Sequence, residues 1–65
     1  MGGLGGTFWA TTTVAFAGGD WLYHDTVAAL SADHARKIAR ANAHEWANRR
    51  TVPAVVKETS VVERQ

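Results

Sequence analysis

The sequence predicts an α+β domain: a three-stranded antiparallel sheet in β-β-α-β succession, strand order 2-1-3, with one helix packed on one face. Three observations predict it. Residues 7–30 alternate apolar and polar side chains on both sides of Gly18-Gly19, as a hairpin does. Alanine then recurs every fourth residue at Ala35, Ala39, Ala43 and Ala47, the period of a helix face. A valine-rich run follows Pro53, too short for a second helix and rich in β-branched residues.

The first strand spans Thr7–Ala17. Phe8, Ala10, Thr12, Val14 and Phe16 fall on one side, and Trp9, Thr11, Thr13 and Ala15 on the other. Gly18-Gly19 reads as a two-residue turn, because both positions of a type I′ turn need φ > 0. Trp21–Leu30 returns as the second strand, with Phe16 facing Trp21, Val14 facing Tyr23 and Ala10 facing Val27. One face then gathers Phe8, Val14, Phe16, Trp21, Tyr23, Val27 and Ala29, which is the predicted core. The opposite face holds Trp9, the threonines, Leu22, His24 and Thr26. On this register Asp25 stands opposite Thr12, as a locally satisfied polar residue near a sheet edge.

Ser31 is a helix N-cap with Asp33 in the first turn, where the helix dipole favours an anion. The helix runs Ala32–Arg49. Its alanine stripe, with Ile38 and Trp46 beside it, lets the backbone lie close to the aromatic sheet face, large against small. Arg49 and Arg50 suit its C-terminal end. Pro53 closes the helical region. The third strand covers Val55–Val62, where Lys57-Glu58 separate two valine doublets; a β-bulge near Glu58–Ser60 restores the alternation. Residues 1–6 contain four glycines and read as a flexible N-terminus ahead of a single domain over 7–65.

Composition limits the chemistry. The 65 residues hold no cysteine, which excludes disulfides, thiolate metal sites and thiol nucleophiles. A domain this small has a slender core and relies on close packing or on another chain. No run of 18 apolar residues offers a spanning helix. The glycine-rich start lacks the basic and apolar regions of a signal peptide, and Gly6 stands where a myristoylation motif needs Ser or Thr. Cytoplasmic placement is the expectation.

The motif search turns up fragments. His44-Glu45-Trp46-Ala47-Asn48 has Asn48 where a H-E-x-x-H zinc motif needs its second His. His34 and His44 lie about 15 Å apart along a helix, too far to share an ion. His24 and Asp25 are adjacent on a strand and point to opposite faces. No Ser/His/Asp triad, carboxylate pair or phosphate loop is legible. The expectations are therefore no catalysis, no metal and no cofactor.

Charge and Trp9 supply the candidate contacts. Arg36, Lys37, Arg40, Arg49 and Arg50 against Asp33 and Glu45 give residues 32–50 a charge of +3, while the rest of the chain carries −2. A basic helix can track phosphates or present a solvated face. Trp9 lies on the side without the helix, and an exposed tryptophan is a common binding anchor, whether toward a partner or in a homodimer. The candidate contact residues are Trp9, Arg36, Lys37, Arg40, Arg49 and Arg50.

The segment Val27-x-Ala29-x-Ser31, followed by Ala35, Ile38 and Ala39, resembles the strand-to-helix junction of small phage proteins with a β-β-α-β core, some of them anti-CRISPR proteins. The resemblance covers roughly residues 20–60. It implies a tight-binding inhibitor that covers a site on a host defence complex. It carries over no functional residue, because binding surfaces differ between members. Three readings follow in order: a non-enzymatic protein-interaction module, of phage or mobile-element type, that blocks a host nucleoprotein complex; a nucleic-acid-binding accessory protein using the basic helix; and a small structural or virion assembly subunit.

Overall fold

The computed structural model describes residues 5–64. Its elements are β1 (Gly6–Phe16), β2 (Gly19–Ala29), α1 (Ala32–Asn48) and β3 (Ala54–Glu63). The sheet order is β2-β1-β3, and both pairings with β1 are antiparallel. The predicted α+β topology is the observed one. Of the expected N-terminal tail, residues 1–4 lie outside the described residues, and Gly6 already belongs to β1, opposite Ala29.

The hairpin register differs from expectation by two residues. Phe16 pairs with Gly19, Val14 with Trp21, Thr12 with Tyr23, Ala10 with Asp25 and Phe8 with Val27. The turn is made by Ala17 and Gly18, and the positive φ falls on Gly19 alone, at 137°. A type I′ loop at Gly18-Gly19 would need two consecutive positive φ values; a single one, just after the turn, matches the alternative hairpin geometry in which a left-handed glycine re-enters the strand. A slip of two residues preserves which side chains share a face, since the period of a strand is two. The core face therefore survives while each cross-strand partner changes.

The helix begins as the sequence indicates. Ser31 Oγ accepts the His34 backbone N–H at 3.2 Å. His34 Nδ1 in turn accepts the Leu30 N–H at 3.1 Å, a reciprocal arrangement that satisfies two backbone donors at the helix entry. Helical residues end at Asn48, and Arg49 is the C-cap. Ala35, Ala39 and Ala43 are 0 % exposed and Ala47 nearly so. Above them lie Phe8, Ala10, Val27 and Ala29 toward the helix N-terminus, and Val14 and Val56 toward its C-terminus.

Thr12 occupies the middle of this core with no exposed surface. Its hydroxyl meets that of Thr59 at 2.9 Å, which removes the cost of burying either one unpaired. Pairing between β1 and β3 shifts between Thr12–Thr59 and Val14–Val56, so Lys57 and Glu58 oppose Thr13 alone. This is the expected bulge, placed slightly earlier than Glu58–Ser60. It keeps Val56, Thr59 and Val61 on the helix side.

Trp21 departs from the predicted core. It shares the helix face, opposite Val14, yet is 58 % exposed. The changed register puts it on the outer strand at the level of the helix C-terminus, where one ring, Trp46, stacks on it at a 6.5 Å centroid distance. Asp25 also has a different neighbourhood from the one expected: it faces Ala10, and its carboxylate accepts Asn42 Nδ2 at 2.8 Å and the Thr26 N–H at 2.9 Å.

Candidate functional site

The strand alternation that fills the core also populates the opposite face. β1 presents Trp9, Thr11, Thr13 and Ala15 there. Beside them β2 places Thr26, His24 and Leu22, paired with Trp9, Thr11 and Thr13. β3 places Val62, Ser60 and Val55, paired with Trp9, Thr11 and Ala15. Among the described residues no element covers this face. Trp9, Leu22, Val55 and Val62 are each more than half exposed, between 54 % and 65 %.

The large side chains are not scattered. Trp9 and Val62 stand at one end, and Leu22 and Val55 at the hairpin end. Thr11, His24 and Ser60 form a polar waist between them, with Thr11 Oγ1 and His24 Nδ1 at 3.2 Å. Arg64 lays its guanidinium 5.5 Å from the centroid of the Trp9 ring. At the other end Lys57 Nζ and Asp20 Oδ2 approach to 3.7 Å, reaching across the central strand from its two neighbours. Both partners are about half exposed, so this pair contributes little to stability.

A second surface forms where the helix ends. Trp46 is surrounded by Phe16 at 6.0 Å and 73°, Tyr23 at 5.2 Å and 33°, and Trp21 at 6.5 Å and 26°. Arg50 sits over the Trp46 ring at 4.4 Å, a cation–π contact. Phe16, Trp21, Trp46, Arg50 and Val52 line an open cleft of about 230 Å³. The sequence placed Trp46 beside the alanine stripe without showing that three rings of the hairpin converge on it; the one available signal was that Phe16, Trp21 and Tyr23 share a face close to the turn.

The six candidate contact residues are not brought together. Trp9 lies on the open face, while the five basic residues belong to the helix side. Arg36 bonds Asp33 one turn earlier at 2.7 Å. Arg40 is half-buried and donates to the carbonyls of Lys57 and, at 3.3 Å, Val56. It thereby ties the helix to the bulge of β3, where ladder hydrogen bonding is interrupted. Lys37 points outward from the helix. Arg49 lies 3.9 Å from Glu45, and Arg50 is engaged with Trp46. Four of the five basic residues thus have separate local partners.

Among the described residues, no three His, Asp or Glu side chains cluster as a metal ion would require. None of the described helices is long and apolar enough to cross a membrane. Every buried side-chain nitrogen and oxygen among the described residues has a hydrogen-bond partner, so no orphaned polar atom is aimed at a ligand. Compared with known proteins, the chain matches no family model, no curated protein and no solved structure.

Proposed function

We propose that this chain is a non-enzymatic protein-interaction module that works through the open face of its sheet. The observation that carries the reading is that four large apolar side chains, Trp9, Leu22, Val55 and Val62, stand in solvent on a face that no described element covers. Large apolar side chains exposed together on one uncovered face are the kind of surface that marks interaction sites. Trp9, with Arg64 beside it, supplies the residue types that dominate binding energy.

The helix contributes less to this reading than its charge suggested. Arg36, Arg40 and Arg49 each have an intramolecular partner, which weakens the case for phosphate tracking. An inhibitor of a host nucleoprotein complex and an assembly subunit are both modules of this class. The first draws only on the resemblance carried by Val27, Ala29, Ser31, Ala35, Ile38 and Ala39. The test is a binding comparison: Trp9→Glu and Val62→Glu are expected to abolish partner capture, and Lys37→Glu to leave it intact. Loss on Lys37→Glu with retention in both face variants would transfer the contact to the helix and overturn the proposal.

A further inference from the structure

We infer that the occupant of the open sheet face is a second copy of this chain, packed sheet against sheet across a two-fold axis; this rests on the reading that the face is the contact surface. Three features of the molecule lead to a like partner.

The first is area. Three strands about 4.8 Å apart and ten residues long at about 3.4 Å each give a face of roughly 500 Å². Two such faces supply about 1,000 Å², the lower bound for a specific interface. A partner must therefore use the whole face, and so must be equally long and equally flat. Another copy of the same sheet meets that requirement.

The second is the distribution of bulk. Trp9 and Val62 rise at one end, Leu22 and Val55 at the other, and on the central strand Trp9 is followed by the smaller Thr11, Thr13 and Ala15. An axis lying between the sheets, perpendicular to the strands and passing between Thr11 and Thr13, turns one copy end for end over the other. Val62 then meets Val55 of the second copy, and Trp9 meets the Lys57–Asp20 pair that spans Thr13 and Ala15. That half-exposed pair brings a cation to the incoming ring. On β2 the same axis sets Leu22 against His24 and Asp20 against Thr26, so the two-fold match rests on β1 and β3.

The third is the core this contact would complete. The largest side chains fully enclosed in one copy are Val14 and Thr12, and six of the ten core residues are alanine. Aligned sheet packing would enclose Trp9, Val55 and Val62 in a second, more polar layer on the bare side of β1. Net charge does not oppose it, since Asp20 and Lys57 cancel within each face.

The experiment is sedimentation equilibrium of the full chain over a concentration series, with an amide-shift dilution series by NMR. The expected result is a species of twice the 7.0 kDa chain mass, with dilution shifts centred on Trp9, Thr11, Thr13 and Val62. Val62→Glu and Trp9→Glu are each expected to raise the dimer dissociation constant at least ~10-fold, with far-UV circular dichroism unchanged. Should Trp9→Glu fail to fold, Val62→Glu on the outer strand decides alone. A monomer at up to ~1 mM, a concentration that detects even weak association, overturns the second copy while leaving the interaction module to its own partner test. A dimer that ignores both substitutions, with shifts confined to a strand edge or to the Trp46 cleft, overturns the sheet-to-sheet contact and likewise leaves the module to its partner test.

Discussion

The two faces of this sheet share the same three strands and differ only in which residues point which way. The helix side sets Phe8, Val14, Phe16, Tyr23 and Val27 against an alanine stripe, large against small. The open side keeps Trp9, Leu22, Val55 and Val62 in solvent. Burial here follows the fit of the covering element more than the hydrophobicity of the residue covered. An alanine-lined helix leaves room for the rings of the face it covers, and no described element covers the face that carries Trp9.

Core truncation sets the upper end of this contrast. Phe8→Ala removes the largest ring under the first half of the helix and is expected to cost about 3–5 kcal/mol, a large share of the stability of a small domain; urea unfolding measures it. A loss below about 1 kcal/mol would mean that the two faces are not energetically distinct. Ala39→Leu tests the close approach directly. Helix propensity hardly changes, so the expected destabilisation of about 1–3 kcal/mol comes from overpacking. An unchanged melting temperature would show that the helix rides higher than described.

The buried hydroxyl pair gives a finer probe. Thr12→Val preserves shape and leaves the Thr59 hydroxyl without its partner, for an expected cost of about 1–2 kcal/mol. Adding Thr59→Val should return most of that loss, since shape-preserving removal of both groups is nearly neutral. Additive losses in the double variant would deny the pair. The smallest effect belongs to the open face: Leu22→Thr, measured where the chain is monomeric, is expected to shift stability by no more than about 0.5 kcal/mol. A core-sized loss there would break the comparison.

What was legible in the sequence was whatever depends on parity and period. The alternation around Phe8–Phe16 assigned the faces, and spacing by four assigned Ala35, Ala39, Ala43 and Ala47 to the core. Ser31 marked the start of the helix. Less legible was anything set by where elements stop relative to one another. Gly18-Gly19 signalled a turn, but the same two residues fit registers that differ by two, and the backbone resolves the choice by placing the positive φ at Gly19. That choice moves Trp21 opposite Val14, where Trp46 stacks on it and more than half of it stays exposed. Asp25 read correctly as a satisfied polar residue, but its partner Asn42 lies 17 positions away and depends on how the helix is rotated. Arg40 read as surface charge because its role depends on the exposed carbonyls of a bulge on another strand. On the open face, Trp9 was legible from parity alone, whereas Val55 and Val62 joined it only once the bulge at Lys57 and Glu58 was fixed.

Strand order also has a consequence in time. β1 and β2 meet across a two-residue turn, and hairpins of that kind close in ~1–10 μs. The other edge of β1 waits for a segment 47 positions away, measured at Thr12 and Thr59, and contacts so distant in sequence slow folding. Until the helix swings that segment into place, the central strand has one ladder and Val14 has one wall. The travel time of β3 is therefore the interval during which this chain is most open to mispairing with its neighbours.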